Sequence, residues 1–274
     1  REITDPPSVL YAKGAWPPPD LPLIAVVGTR KATKEGLNIA KDFARDLARS
    51  GCGIVSGLAM GIDTAAHRGA LAAGGFTAAV LGNGIDVVYP AQNEKLAADI
   101  LNTKGLIISE YGPGEPSYPG NFLRRNRIIS GLSVATLVIE APAQSGALAT
   151  ARFAAEQGRE VFVVPGSLSN RNYRGSHELI RDGATLVQGV EDVLGDLGQN
   201  SLFTPHSSNL ISPELSEEET IIVETLRKEG SPLGVDRLLE LTKLEPRTVS
   251  IGLTSLTLKG YLIEERSVYS LKIL

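Results

Sequence analysis

Residues 23–30, Leu-Ile-Ala-Val-Val-Gly-Thr-Arg, open the regular part of this 274-residue chain and decide its fold class. Five consecutive apolar residues followed by a glycine are typical of a strand that is buried on both faces of a sheet. A helical pattern follows, carried by Leu37, Ala40, Phe43, Ala44 and Leu47. Gly53–Ser56 is predicted as the next strand, so the segment forms a strand–helix–strand unit.

The same alternation of strands and helices continues as far as residue 187. Further strands are predicted at Thr77–Leu81, Leu106–Ser109, Ala135–Ile139, Val161–Val164 and Thr185–Val187. Helices are predicted at Asp63–Ala73, Glu94–Leu101, Asn126–Gly131, Ala147–Gln157 and Ser176–Asp182. Strands separated by helices pair in parallel through right-handed crossovers. We therefore expect an α/β fold with a doubly wound, mostly parallel, Rossmann-like sheet.

Composition divides the chain into four parts. Residues 1–22 are rich in proline and predict an extended lead-in, and residues 23–197 form the Rossmann-like core. Residues 198–213 are polar and lack periodicity, which predicts a linker. Residues 214–274 predict three helices and a terminal hairpin, an arrangement typical of a small winged-helix domain.

Overall composition is that of an ordinary globular protein. Hydrophobic residues make up 42% and charged residues 21% of the chain, and no apolar run is long enough to span a membrane. The single cysteine, Cys52, cannot form an internal disulfide, which fits a reducing compartment. With only three histidines, we expect no metal site. These features predict a cytoplasmic protein.

Charge is distributed unevenly along the chain. The net charge of −4 argues against a nucleic-acid binder, because binding phosphates requires clustered Lys and Arg. Residues 121–181, however, hold eight arginines, no lysine and four glutamates, so this segment carries +4. Residues 214–274 hold eight basic and eleven acidic residues. We therefore expect that domain to bind protein rather than DNA.

Small-residue loops follow several predicted strands, where backbone amides and helix N-termini can hold an anion. The candidate residues in these loops are Gly28, Arg30, Ser56, Gly57, Gly61, Ser145 and Gly146. Each loop can also be a plain strand-to-helix turn, with Asp63 as the helix cap in the second. Arg30 stands where a dinucleotide fingerprint would have its second glycine, which disfavours NAD binding.

The segment 122–127 concentrates arginines beside an aromatic ring. Its candidate residues are Phe122, Arg124, Arg125, Asn126 and Arg127. Arginine side chains suit phosphate oxygens, and a phenylalanine face can stack on an unpaired base. Alternatively, these charged side chains form an ordinary solvent-exposed surface with no ligand. The run ends in Ile128 and Ile129, however, so we expect some of these arginines to lie near the core and to need anionic partners.

Together these motifs resemble those of the DNA-processing protein A family, known as DprA or Smf. The resemblance extends over about residues 6–190 and is carried by Gly28-Thr29-Arg30, Ser56–Asp63, Val80–Asp86, Tyr89-Pro90, Arg125–Ser133, Ser145-Gly146 and Val164-Pro165-Gly166. The C-terminal part looks like the winged-helix extension of many members. The sequence departs from the family at Thr29, where serine is usual, and at Leu123, where proline is common.

The resemblance implies a non-catalytic protein that binds single-stranded DNA and loads the RecA recombinase onto it during natural transformation. It also implies a homodimer formed through the Rossmann-like core, and no cofactor. By the same resemblance the DNA pocket uses Arg30, Phe122, Arg125 and Arg127.

An enzyme is the competing interpretation. Nucleotide-hydrolysing proteins of the lysine decarboxylase-like group share this topology and carry a Pro-Gly-Gly-x-Gly-Thr-x-x-Glu loop. The corresponding segment here, Ala141–Thr150, lacks the paired glycines, and no glutamate follows until Glu156. The carboxylate that would act on the ribose is therefore missing, and we expect no catalytic residues.

Overall fold

The computed structural model describes residues 3, 5–18, 20–199, 216–229, 232–258, 262–265 and 268–271. The chain divides into two compact units, Arg1–Ser208 and Asn209–Leu274. Strands of the first unit are β1 (Tyr11–Gly14), β2 (Leu23–Val27), β3 (Gly53–Ser56), β4 (Thr77–Leu81), β5 (Leu106–Ser109), β6 (Ala135–Val138), β7 (Glu160–Val163) and β8 (Thr185–Leu186). Its helices are α1 (Lys34–Arg49), α2 (Ile62–Ala72), α3 (Glu94–Asn102), α4 (Pro119–Gly131), α5 (Gly146–Glu156), α6 (Arg174–Arg181) and α7 (Val190–Gln199). Across the described ranges, no helix combines the length and the apolar character needed to cross a bilayer.

The strands of the first unit form one sheet in the order β1-β5-β4-β3-β2-β6-β7-β8. Only the β1–β5 pair is antiparallel among these described strands, so the predicted mostly parallel α/β fold is confirmed. From β2 the chain adds strands outward to β5 and then returns to place β6 on the other side of β2. The carboxyl ends of β2 and β6 therefore flank the topological switch point, where open α/β sheets bind ligands.

Strand β2 shows why the sheet is covered on both faces. All five of its residues are buried, and successive side chains of a strand point to opposite faces. Ile24 and Val26 pack in one hydrophobic cluster with residues of α1. Ala25 and Val27 pack in another with residues of α4. A strand buried on both faces must be apolar throughout, as the sequence of residues 23–27 is.

Three features of the first unit differ from the sequence predictions by more than two residues. The lead-in is not wholly extended over the surface, because Tyr11–Gly14 forms the antiparallel strand β1 against β5, where β5 would otherwise be an exposed edge. Helix α4 begins at Pro119 instead of Asn126, since proline is favoured in a first helical turn. Helix α7 was not predicted, and it reaches Gln199, beyond the predicted start of the linker. The other linker residues, 200–213, lie outside the described residues.

The second unit contains α8 (Glu217–Glu229), β9 (Leu233–Gly234), α9 (Val235–Thr242), α10 (Pro246–Leu258), β10 (Leu262–Glu265) and β11 (Val268–Leu271). The three helices and the terminal hairpin that the sequence predicts are present, and β9 adds a third strand in the order β10-β11-β9. A capping box starts α8: the Glu219 amide donates to Ser216 Oγ over 3.2 Å, and the Ser216 amide donates to Glu219 Oε2 over 2.8 Å.

His67 of α2 is a fully buried titratable side chain. The Thr77 hydroxyl donates to the Ile54 carbonyl over 2.9 Å, so it accepts a hydrogen bond from His67 Nδ1–H, 2.7 Å away. Burial, and next the positive charge of Arg125, lower the pKa of His67 to about 3. The imidazole is therefore neutral in the folded protein at neutral pH.

This neutral histidine predicts a loss of stability in acid. Below its ordinary pKa of about 6.5 the unfolded chain binds a proton that the folded chain does not, so stability falls as the pH drops from 6.5 towards 3. His67→Asn keeps a donor for Thr77 and removes the titration. Between pH 7 and pH 5 we expect the variant to lose about 2 kcal/mol less unfolding free energy than the wild type, measured by urea denaturation. Parallel stability curves for the two proteins would contradict this.

Candidate functional site

A cleft of about 610 Å³ lies at the carboxyl ends of β2 and β6. The loop after β2, the first turns of α4 and the start of α5 form its walls. Seven of the twelve predicted site residues line it: Gly28, Arg30, Phe122, Arg125, Asn126, Ser145 and Gly146. The structure thus brings together residues from three separate segments of the sequence.

At the N-terminus of α1, the carboxylate of Glu140 occupies the position where a bound anion would otherwise lie. Glu140, two residues after the end of β6, is fully buried. Its Oε2 accepts from the backbone amide and the hydroxyl of Thr33, at 3.0 and 3.1 Å, just before α1. Its Oε1 accepts from the Asn172 side-chain amide over 2.6 Å. A Cβ at Gly36 would lie 2.0 Å from Oε2, so any larger residue there would displace the Glu140 carboxylate. A phosphate cannot occupy this position at the start of α1.

The N-terminus of α5, by contrast, opens into the cleft. Ser145 caps the helix, its Oγ accepting from the Ala147 amide over 3.2 Å. Gly146 is exposed, and Asn126 Nδ2 fixes it by donating to its carbonyl over 3.1 Å. Partial positive charge at a helix N-terminus favours an anion. This end of the cleft is therefore suited to a phosphate group.

Arg30 supplies a cation in the same cleft. Its side chain is exposed, and its guanidinium carbon lies 5.4 Å from the centroid of the Phe122 ring, a cation–π arrangement. Among the described residues no carboxylate pairs with Arg30. The charge is held in place by the ring and is free to meet an anion.

Arg125 lines the cleft but is only 3% exposed. Its Nη1 donates to the carbonyl of Val80 at the end of β4 and, over 2.8 Å, to that of Gly57. Burial lowers the pKa of Arg125 to about 10, against the opposing effect of the nearby Asp63 carboxylate. Asp63 in turn accepts from the amides of Gly57 and Ala59 at 3.1 and 3.3 Å. Arg125 thereby fixes the loop between β3 and α2.

Ser56, Gly57 and Gly61 shape the wall behind the cleft without lining it. The hydroxyl of Ser56 donates to the Val26 carbonyl over 2.7 Å and is fully buried. A Cβ at Gly57 would lie 2.5 Å from a guanidinium nitrogen of Arg125. Gly61 has φ of +82°, and a Cβ there would lie 2.3 Å from the Thr29 carbonyl oxygen. The glycines are needed for close packing at these two points.

Arg124 and Arg127 lie on another face of α4, outside the cleft. Arg127 is 4% exposed; it donates to Glu110 Oε1 over 2.6 Å and to Asp5 Oδ2 over 3.0 Å. Arg124 lies 3.8 Å from each of the same two carboxylates. The hydrogen bond from Arg127 lowers the pKa of the Asp5 carboxyl. The anionic partners expected for arginines near the core are therefore present. The resemblance places Arg127 in the DNA pocket, but its side chain does not line this cleft.

Helical periodicity explains why Arg125 lines the cleft while Arg124 and Arg127 lie outside it. Phe122, Arg125, Asn126 and Ile129 all line the cleft, and their spacing places them on one side of α4. Arg124 and Arg127, three residues apart, share a different side.

Sequence reasoning missed Tyr89, which lies in the loop after β4. It lines the cleft, and its ring centroid is 5.4 Å from that of Phe122. The Tyr89-Pro90 pair was noted as a motif, but nothing local in the sequence links it to the distant α4 segment. Only the parallel order of the strands brings the two loops together.

Comparison with known proteins identifies the family. The model for DNA recombination-mediator protein A matches residues 1–198. This chain belongs to that family. Protein Smf from Escherichia coli K12 is 39% identical over 256 residues, which cover 87% of this chain and 68% of that protein. DNA processing protein DprA from Streptococcus pneumoniae R6 is 45% identical over 195 residues, covering 71% of this chain and 68% of that protein.

Two solved DprA structures share the fold. That of Streptococcus pneumoniae DprA has a TM-score of 0.66 and 44% identity, covering 71% of this chain and 68% of that chain. That of Helicobacter pylori DprA has a TM-score of 0.65 and 31% identity, covering 73% of this chain and 91% of that chain. The latter was described for its single-stranded DNA binding mode. The resemblance to DprA inferred from the motifs is confirmed.

Arg125 and Arg124 make a matched pair for testing the role of the buried guanidinium. Arg125→Met leaves the Val80 and Gly57 carbonyls buried without their donor and removes the positive charge near Asp63. We therefore expect a loss of about 2–5 kcal/mol of unfolding free energy. Arg124→Met removes the same charge from the surface, where we expect less than about 1 kcal/mol. Urea denaturation at pH 7 measures both. Equal, small losses would show that Arg125 does not hold the loop.

Proposed function

We propose that this protein binds single-stranded DNA in the cleft at the switch point. The observation that carries the proposal is Arg30: an exposed guanidinium held against Phe122, with no carboxylate partner in the described part of the chain. Phosphates of the strand lie at Arg30 and at the N-terminus of α5, beside Ser145 and Gly146. An unpaired base packs against Phe122.

The size of the cleft supports selectivity for a single strand. About 610 Å³ is within the range of small-ligand sites, roughly 300–1,000 Å³, and suits one or two nucleotides. Bases of a duplex are stacked and paired, so they cannot enter the cleft or reach Phe122. Duplex DNA is therefore bound much more weakly.

We further propose that the bound strand is passed to the RecA recombinase during natural transformation, in the cytoplasm, by a homodimer. Membership of the DNA recombination-mediator family supports a role in recombination. The proposed winged-helix domain, residues 214–274, carries more acidic than basic residues. This balance supports a protein partner for that domain in preference to DNA.

The positions of the Asp63 and Glu140 carboxylates support binding without catalysis. Asp63 lines the cleft, but its carboxylate accepts backbone hydrogen bonds beside Arg125. Glu140 is buried and bonded to Thr33 and Asn172. Neither is placed to attack or activate water at a ribose. Release of free base from nucleoside monophosphates would instead support the nucleotide-hydrolase alternative.

Removing the Arg30 charge tests the phosphate site. We expect Arg30→Ala to weaken binding of a fluorescent single-stranded oligonucleotide about 10- to 100-fold, the loss of a hydrogen bond to a charged group. The slope of log affinity against log salt should fall by about 0.7, because one fewer phosphate is neutralised. Fluorescence titrations at several salt concentrations measure both quantities.

Arg49→Ala is the matched control. Arg49 ends α1 and is 64% exposed, and it lies at the end of that helix far from the cleft, so its loss should change neither the affinity nor the slope. Unlabelled duplex of equal length should compete poorly with the labelled strand. Equal effects of the two substitutions, or equal competition by duplex, would contradict the proposed cleft.

A further inference from the structure

Tyr89 is an exposed aromatic side chain inside the cleft that the proposed binding mode does not yet use. Its side chain is 46% exposed and lines the same cleft as Arg30 and Phe122. A solvent-exposed aromatic ring in the same cleft as an arginine without a carboxylate partner is suited to stacking on a nucleobase. We propose that Tyr89 stacks on a second base, so that the cleft holds two successive unpaired nucleotides. This inference rests on the proposed binding of single-stranded DNA.

The distance between the rings determines how the bases are placed. The centroids of Tyr89 and Phe122 lie 5.4 Å apart, with 41° between the planes. That distance is already the contact range of an aromatic pair, so no base fits between the rings. Each ring therefore takes a base on its own outward surface, and the two bases are different ones.

Tyr89 offers the freer surface of the two. Phe122 is only partly exposed and carries the Arg30 guanidinium 5.4 Å from its centroid. Its ring also packs on Gly82, where an added Cβ would lie 2.7 Å from Phe122 Cδ1. Phe122 is thus engaged on several sides and supports both Arg30 and Tyr89. More of the Tyr89 ring remains available to a base.

The loop that carries Tyr89 is held in place before DNA binds. Asn83 Nδ2 donates to the Val87 carbonyl over 2.7 Å. Asp86 accepts from the Gly114 amide over 3.0 Å, and Asn93 Nδ2 donates to the Leu58 carbonyl over 2.8 Å. A ring on a fixed loop loses little entropy when a base stacks on it, which strengthens binding.

Two protein variants and two single-stranded DNA ligands test the inference. Tyr89→Ala should weaken binding of a short oligothymidine by about 5- to 100-fold, the range for one base–aromatic stack. Tyr89→Phe keeps the ring and should bind within about twofold of the wild type, since stacking needs only a π-face. On an abasic strand of equal length, Tyr89→Ala and the wild type should bind equally, which also shows that the variant is folded.

Trp16→Ala is the control, because Trp16 is a 57% exposed aromatic residue that follows β1 and does not line the cleft. It should bind oligothymidine as the wild type does. Wild-type affinity of Tyr89→Ala for oligothymidine would overturn the inference and leave the proposed function intact. Weak binding by Tyr89→Phe, or an equal loss with the abasic strand, would also overturn it, since the ring would not be acting on a base. Failure of the wild type to bind oligothymidine would contradict the proposed function itself.

Discussion

The buried carboxylate of Glu140 joins three parts of the first unit: the end of β6, the start of α1 and the short 3-10 helix Arg171–Tyr173, which carries Asn172. An ionised carboxylate is costly to bury unless it is fully hydrogen-bonded, and here it accepts from both neighbours and lies at a helix N-terminus. The position that a nucleotide phosphate takes in many Rossmann-like proteins is thereby filled from within. In the proposed binding mode the anion at the switch point is instead bound by Arg30 and the N-terminus of α5, which is how the fold could serve a ligand other than a dinucleotide.

Helix α4 connects the cleft to the lead-in. One of its sides presents Phe122 and Arg125 towards the switch point, and another uses Arg127 to hold Asp5 of the lead-in and Glu110 after β5. The arginine-rich segment is therefore not a continuous basic surface. Arg125 and Arg127 are buried and bonded to carbonyl or carboxylate groups of the protein, although Arg127 Nη1 has no hydrogen-bond partner. Fewer charges are therefore available to the proposed DNA ligand than the local excess of +4 suggests.

The fold was predictable where burial on both faces of the sheet requires a continuous run of apolar residues. Strands β4 and β5 match their predicted limits residue for residue, because strands covered on both faces are continuous apolar runs. Strand β1 has four exposed residues and no such pattern, so only its partner β5 reveals it. Within the site, the small-residue loops and the arginine segment were visible locally. The pairing of Arg127 with Glu110 and the approach of Tyr89 to Phe122 depend on contacts between distant segments, which one sequence does not show.

The distribution of charge bears on how a protein of net charge −4 can bind a polyanion. At physiological salt a charge is screened over about 8–10 Å, so a phosphate inside the cleft responds mainly to Arg30 and the α5 N-terminus and little to acidic side chains farther away. In the proposed binding mode a duplex does not enter the cleft, and the acidic excess of the chain outside residues 121–181 opposes the approach of its phosphates. In the proposed binding mode, the acidic excess elsewhere in the chain therefore opposes a duplex more than it affects a phosphate inside the cleft. A few fixed contacts would then suffice to favour an unpaired strand.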